Sequence, residues 1–326
     1  MYCLGIESTA HTFGAAVLDN DTVLSNETAS YTTETGGLIP SDLAQHHLTN
    51  AKRVIDDAFD EADCTIHDID CIAFSQSPGI GTALRIGALA ARSLAVLYDI
   101  PLVGVNHCIA HLEIGRLSAE ADDPILLYVS GANTQVIAYH AGKYRVFGET
   151  LDSGVGNFLD TVARDMGLGF PGGPKIEELA SNGSEYIELP YVVKGMDTSF
   201  GGLQTNVRRK INETDLAHED IAYSVQETVF AMLVETAERA MAHTGTEALV
   251  LGGGVACNQR LQEMCRTMCD DRGASYHCPA NEYLTDNAAM IAWTGILMYR
   301  AGETVEPEDA AIKPKLRTDQ VDVTWR

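Results

Sequence analysis

Lysine is scarce in this chain of 326 residues: Lys52, Lys143, Lys175, Lys194, Lys210, Lys313 and Lys315 are all it has. With arginine included, 22 basic residues face 46 acidic ones, a formal net charge of −24. A single-sign surplus of that size keeps a protein soluble but repels polyanions, so it argues against tight binding of bare nucleic acid by this chain alone. Salt makes the self-repulsion tolerable, with a Debye length of about 3 Å in 1 M salt, and the composition fits a salt-adapted source. No apolar run approaches the ~18 residues of a membrane span, and the N-terminus lacks a basic flank and a cleavage signature, so a cytoplasmic protein with no membrane partner is expected. None of the eight cysteines stands in a C-x-x-C pair, and several lie in apolar stretches, which reads as reduced thiols in a reducing compartment. A phosphate-loop lysine and a G-x-G-x-x-G fingerprint are also missing, which makes ordinary P-loop and Rossmann readings poor.

What is present is a divergent repeat. Residues 2–8 and 13–18 read as a hairpin, with a third strand near 22–30. The pattern returns at 125–138 around the turn Gly131-Ala132-Asn133-Thr134, with a third strand near 143–150. A buried strand at 70–74 leads through Ser77-Pro78-Gly79-Ile80-Gly81 into a helical run from Thr82 to Tyr98. Likewise a strand at 248–251 leads through Gly252-Gly253-Gly254 into a helical run from Asn258 to Cys269. A helix precedes each strand, over 41–60 and 218–243, and the second half carries an insertion between about 151 and 215. The expectation is an α/β protein of two related lobes facing across a cleft. Residues 1–122 form the first lobe, completed by a C-terminal helix over 296–326, and residues 123–295 form the second. Glycine admits close backbone approach, and the helix after each glycine loop turns free N–H groups toward it, so these loops suit a phosphate.

His107 and His111 stand four residues apart at a helix start, a spacing that lets two imidazoles share a metal ion but also occurs in ordinary helices. The zincin pattern H-E-x-x-H fails because Cys108 holds the place of the general base, which removes a peptidase reading. Asp286, at the head of an apolar helical run, is a third ligand or a simple helix cap. Tyr128, on the strand entering the second hairpin, is a fourth ligand or a half-buried strand aromatic. Oxygen ligands beside two histidines suit iron or zinc. Asp160 and Glu177 offer carboxylates for ribose hydroxyls or are surface helix acids. Arg208-Arg209-Lys210, the densest basic cluster, reads as a contact for phosphate or RNA or as a solvated helix face.

The segments LGIESTAHTFG (4–14), PSDLAQHH (40–47), SPGIGTALRIG (77–87), VNHCIAHLEIG (105–115), LYVSGANTQV (127–136), SGVGNFLD (153–160), FPGGPKIEELA (170–180), GGGVACNQRL (252–261) and TDNAAMIAWTG (285–295) together resemble the TsaD family. The branch they resemble is the archaeal/eukaryotic one, the catalytic subunit of the KEOPS complex. The resemblance implies the fold of actin, hexokinase and the chaperone ATPases (the ASKHA fold), two lobes around a nucleotide cleft. It implies a transferase moving a threonylcarbamoyl group from threonylcarbamoyl-AMP to the exocyclic amine of adenosine 37 in tRNAs that read codons beginning with adenine. Matched position by position, His107, His111 and Asp286 correspond to the metal triad and Tyr128 to a further ligand, for one divalent ion per subunit, with iron favoured over zinc. Tyr128, Val129, Ser130, Gly131, Ala132, Asp160, Gly173, Glu177 and Asn258 correspond to positions that bind the adenylate, a cleft that ATP or AMP also fits. Glu7 and His11 in the first turn are candidates for the proton acceptor. Implied partners are tRNA, a kinase/ATPase subunit, a dimerising subunit and a tRNA-binding subunit. A kinase is fused directly after this domain in some archaeal members, so such a domain beyond residue 326 stays open. Two positions depart from the family pattern. Ala132 replaces a glycine, which is expected to fit a positive φ less well, and Gly201 replaces a serine, removing a hydroxyl on the acceptor side. The alternatives are a small-molecule kinase on the same fold, which would not need His107 and His111, and a non-catalytic scaffold of the same complex.

Overall fold

A computed structural model describes residues 1–33, 39–119, 121–213 and 215–326. The chain opens with three antiparallel strands, β1 (Tyr2–Glu7), β2 (Thr12–Asp19) and β3 (Thr22–Ser30). The first two are buried along almost their whole length because helices cover both faces of the sheet. Helix α1 (Pro40–Glu61) begins on a proline, whose missing N–H costs nothing in a first turn. Then come β4 (Cys71–Ser77), α2 (Gly81–Tyr98), β5 (Leu102–Asn106) and α3 (His107–Ala119). The second half begins with β6 (Ile125–Val129), β7 (Thr134–His140) and β8 (Lys143–Glu149). Between β8 and the long α7 (His218–Thr244) lie α4 (Val155–Asp165), α5 (Gly172–Ala180), the short hairpin β9 (Val193–Lys194) and β10 (Asp197–Thr198), and α6 (Gly201–Glu213). The chain closes with β11 (Ala248–Gly252), α8 (Gln259–Arg272), β12 (Ser275–His277), α9 (Asn281–Leu284) and α10 (Ala288–Arg300).

The two five-stranded sheets have the orders β3-β2-β1-β4-β5 and β8-β7-β6-β11-β12. In each, an antiparallel three-strand meander is extended by two parallel strands. The repeat read in the sequence is therefore a repeat of topology.

The lobes exchange helices. α3 follows the last strand of the first sheet, yet Cys108, Ile109 and Leu112 pack with Leu126, Tyr128 and Val250 of the second. Conversely, α10 follows the second sheet, and its Ala288–Ala292 stretch and Ile296 pack with Cys3, Leu18, Cys71 and Ala73 of the first. Both approaches are close enough to demand glycine. A Cβ at Gly5 would stand 2.3 Å from the Ala288 carbonyl, and one at Gly115 2.6 Å from Val250 Cγ1. The two helices also touch each other, with Trp293 Nε1 donating to the Glu113 carbonyl at 3.1 Å.

The helix expected over 296–326 is corrected by the structure. α10 ends at Arg300, where Gly302 turns the chain with φ +82°, and Pro307 and Pro314 keep it from resuming a helix. An end of the second lobe at residue 295 would also cut α10, whose buried face lies on the first sheet throughout. Residues 301–326 run instead as an irregular strap from one lobe to the other. Val305 bonds to Leu102 of β5, and the Lys313 amide donates to the Gln76 carbonyl at 2.9 Å. Arg317 reaches Glu149 at the end of β8, and Trp325 Nε1 donates to Glu113 Oε1 at 2.9 Å.

Glu113 is fully buried and also takes a hydrogen bond from Tyr144 and an ion pair from Arg116 at 2.5 Å. A buried carboxylate is costly unless its oxygens are satisfied. Trp325→Ala removes one donor and the packing of the indole, and should lower unfolding free energy by about 2–3 kcal/mol, measured by denaturant titration. An unchanged midpoint would show that the strap is dispensable for stability.

Candidate metal centre and nucleotide cleft

α3 starts without a linker at the end of β5, because the Asn106 side chain caps it. Asn106 Oδ1 accepts from the amides of Cys108 (3.1 Å) and Ile109 (3.2 Å). This fixes His107 and His111 on one face of the first turns, where the lobes meet. Asp286 enters from the turn between α9 and α10. Capping of α10 falls to the next residue, since Asn287 Oδ1 accepts from the Met290 amide at 3.0 Å, and Asp286 is left to point at the histidines. Its Oδ1 lies 3.4 Å from His107 Nε2 and 3.7 Å from His111 Nε2. Among the described residues these three form a group able to hold a metal ion, with ligand atoms within 4.8 Å of one another. Tyr128, the fourth residue the resemblance named, lays its ring 4.9 Å from that of His111.

Behind the ligands stands Glu7, fully buried. Its Oε1 accepts from the amide and hydroxyl of Thr9 at 2.6 and 2.5 Å, and its Oε2 lies 3.0 Å from His107 Nδ1. Both oxygens are engaged, so Glu7 orients His107 and directs its Nε2 into the cleft. His111 has no such support: both ring nitrogens are buried without a hydrogen-bond partner. An orphaned imidazole beside a carboxylate and a second imidazole fits a cation, and the N₂O donor set suits a first-row divalent ion. The electrostatics agree. Burial lowers the His111 pKa, keeping that ring neutral. Burial also works against charge on His107, but Glu7, Tyr128 and Asp286 outweigh it and hold its pKa well above the ordinary value. Burial would raise the Asp286 pKa, yet the two histidines pull it well below the usual carboxylate range. His11, four residues after Glu7, packs edge-on against Phe170 with ring centroids 6.1 Å apart.

On the second lobe, helix N-termini gather around the β6–β7 turn. The Val129 carbonyl at the end of β6 leaves no room for a side chain at Gly253, whose φ is +89° and whose Cβ would stand 2.3 Å from it. The carbonyls of Ser130 and Gly131 accept from the amides of Gly156 (3.1 Å) and Asn157 (2.9 Å) in the first turn of α4. Ala132 is not among the described residues with positive φ, so the strain expected from replacing glycine there does not arise. Asp160 Oδ1 accepts from the Gly172 amide at 2.7 Å at the start of α5. Glu177 Oε1 accepts from the Gln259 amide at 2.8 Å, and Asn258 Oδ1 accepts from the amides of Arg260 and Leu261 at 2.9 and 3.2 Å, both at the start of α8. A Cβ at Gly173 would meet nothing within 4 Å, so the cleft is open there. The other departure also has a local reason. Asp152 holds the start of α6 through Ser199, Phe200 and Gly201, bonds that outweigh burial and bring its pKa down to about 2, and a Cβ at Gly201 would stand 3.0 Å from its Oδ2. Arg208 of the basic cluster pairs with Asp165 at 2.8 Å on the outer face of α6. The structure thus brings His107, His111, Asp286, Tyr128, Glu7 and His11 together, with Asp160 across the cleft from His11. Two residues the sequence reading passed over are Thr9 and Asn106, which hold Glu7 and α3; Asn106 directly before the first histidine was the available signal.

The sequence profile of the family described as TsaD, tRNA N6-adenosine threonylcarbamoyltransferase, matches residues 22–293. A protein of that name from Thermococcus kodakarensis is 54% identical over 325 residues, covering 100% of both chains. A probable bifunctional tRNA threonylcarbamoyladenosine biosynthesis protein from Methanosarcina mazei is 51% identical over 99% of this chain, which spans 59% of that protein. Among solved structures, T. kodakarensis HypF superposes with a TM-score of 0.67 at 17% identity, over 95% of this chain and 48% of that one, a likeness of fold.

The His107 proton sets a pH dependence. With its pKa raised, the metal-free site carries that proton near neutrality, and an incoming cation must displace it. Titration with a divalent first-row ion should bind one equivalent, release one proton, and tighten as pH rises toward the His107 pKa, by about tenfold per unit at most. Calorimetry in buffers of different ionisation enthalpy reads the proton, and His111→Ala should weaken binding at least ~100-fold. Equal affinity in that variant would remove His111 from the ligand set.

Proposed function

The chain belongs to the TsaD family of tRNA N6-adenosine threonylcarbamoyltransferases, and from that premise we propose that it transfers a threonylcarbamoyl group from threonylcarbamoyl-AMP to the exocyclic amine of adenosine 37 in tRNAs reading codons that begin with adenine. The observation that carries this reading is the junction of two half-sites. Buried His107 and His111 are grouped with part-buried Asp286, and the second lobe carries the starts of α4, α5 and α8.

The second lobe would hold the adenylate. The positive dipole ends of α4, α5 and α8 would favour its phosphate without any lysine, although their first amides already donate to Ser130, Gly131, Asp160, Glu177 and Asn258. Gly173 would admit the adenosine, and Asp160 and Glu177 each keep one carboxylate oxygen beyond the helix cap for the ribose hydroxyls. Burial raises the Asp160 pKa, which suits a carboxyl held close to a ligand. The first lobe would hold the acyl end. A divalent ion at His107, His111 and Asp286, with Tyr128 beside it and iron favoured, would supply Lewis acidity toward the carbamoyl oxygen. Glu7 fixes the His107 ring for that task. The adenosine amine forms the new C–N bond, the acyl–phosphate bond breaks, and AMP departs. Because AMP is already a good leaving group, alignment of amine and donor is the main contribution of the protein, of the order of several kcal/mol. Of the two candidates, Glu7 has both oxygens engaged, so His11 is the group we assign to receive the amine proton.

ATP or AMP would compete for the same cleft. The charge of −24 favours tRNA capture shared with partner subunits, namely a kinase/ATPase, a dimerising subunit and a tRNA-binding subunit. Among the described residues no helix is long and apolar enough to cross a membrane, and the proposed tRNA substrate favours a cytoplasmic reaction.

The test supplies purified threonylcarbamoyl-AMP, a suitable tRNA and the partner subunits, with products read by nucleoside mass analysis. Wild type should give modified adenosine, and His107→Ala/His111→Ala should lose at least ~100-fold in rate. Equal product from both proteins would remove the metal from the mechanism, and none from wild type would refute the assigned reaction.

A further inference from the structure

Many cations of this acidic chain pair with nearby carboxylates. Arg260 is held by Glu227 and Glu263, Arg317 by Glu149 and Asp319, and Lys143 by Asp322. Lys313, Lys315 and Arg85 are exposed and have no ion pair among the described residues, as is true of several other cations, but these three stand close together. They are gathered where the strap crosses between the lobes. Residues 313–316 form a turn closed by the Leu316 amide on the Lys313 carbonyl at 3.0 Å, with Pro314 at its second position. The turn is pinned on three sides. The Lys313 amide holds the Gln76 carbonyl at 2.9 Å, the Pro314 carbonyl takes the Gly79 amide at 3.2 Å, and the Leu316 carbonyl takes Asn106 Nδ2 at 3.4 Å. Asn106 directly precedes His107. Arg85 stands one turn along α2 from Gly81, which itself borders Pro314: a Cβ there would lie 3.7 Å from Pro314 Cγ.

The turn thus carries two unpaired lysines on backbone that is hydrogen-bonded to Asn106, one residue before His107. Screening confines each charge to about 8 Å at physiological ionic strength, so this turn stays locally positive despite the net charge. We propose that Lys313, Lys315 and Arg85 form a docking strip for the phosphodiester backbone of the RNA acceptor, seating the strand on either side of the reacting base. This rests on the assigned reaction and deepens it. The adenylate is held from the second lobe, so the acceptor strand enters along the strap of the first. RNA is favoured over an acidic protein because the strip borders the reacting centre, where the acceptor must lie.

The test measures affinity of the full chain for an anticodon stem-loop across a salt series, by fluorescence anisotropy. It compares Arg85→Gln/Lys313→Gln/Lys315→Gln with Lys52→Gln/Arg92→Gln/Lys194→Gln, the same loss of charge placed elsewhere. All six positions lie outside the core, and equal thermal midpoints confirm folding. The strip variant should bind at least ~10-fold more weakly at low salt, and its log K against log salt slope should be shallower by about 2, since each lost phosphate contact is worth roughly 0.7–0.9. The control should keep the wild-type slope, and KM for the threonylcarbamoyl donor should be unchanged in both. Equal slopes in strip and control variants, or wild-type binding without salt dependence, would overturn the strip while leaving the transfer reaction intact. Absence of modified adenosine from wild type in the transfer assay would instead mark failure of the reaction itself.

Discussion

The packing of α3 against the sheet of the opposite lobe is the constraint on which the site depends. The helix is anchored at its start to β5 by the Asn106 cap, and along its flank to β6 and β11 by Cys108, Ile109 and Leu112. His107 and His111 are therefore fixed relative to both sheets at once. Asp286 arrives by the reciprocal route, on the turn that leads into α10. The metal group stands at the crossing of the two exchanged segments. Relative movement of the lobes would disturb ligand distances, so the strap and the Glu113 cluster that hold α3 from behind act on the site without touching it.

On the nucleotide side, economy of charge explains the design. A chain with so few lysines offers an anion the positive ends of its helices, and Asp160, Glu177 and Asn258 fix those helix starts by accepting from their first amides. Substituting Asp160 or Glu177 would therefore disturb the helix start that each one fixes.

The sequence disclosed much of this, for identifiable reasons. Both sheets were legible because their central strands are continuous apolar runs punctuated by glycine loops, as at 248–254. The possible metal-binding group was legible because His107 and His111 share a helix face and Asp286 precedes an apolar run. β12 was not, since Ser275–His277 is short and polar and takes its place only by pairing with β11. The strap was misread as a helix, because its apolar residues (Val321, Val323, Trp325) serve a groove of the other lobe and not a helix stripe. The role of Glu7 was hidden for a similar reason. A glutamate in a turn looks like an exposed base, and only the fold places His107 Nδ1 against it. Ala132 shows the opposite error, a strain expected from family pattern that the backbone does not impose.

The exchange of α3 and α10 bears on descent. If the lobes arose by duplication, a single ancestral unit would have carried a third helix that its own sheet covers on one side only, since Ala110 and Ile114 pack on the first sheet while Cys108, Ile109 and Leu112 pack on the second. Such a half-length chain would bury the other side on a second copy, as a two-fold dimer with exchanged helices, and in the present single chain that two-fold axis would pass between α3 and α10.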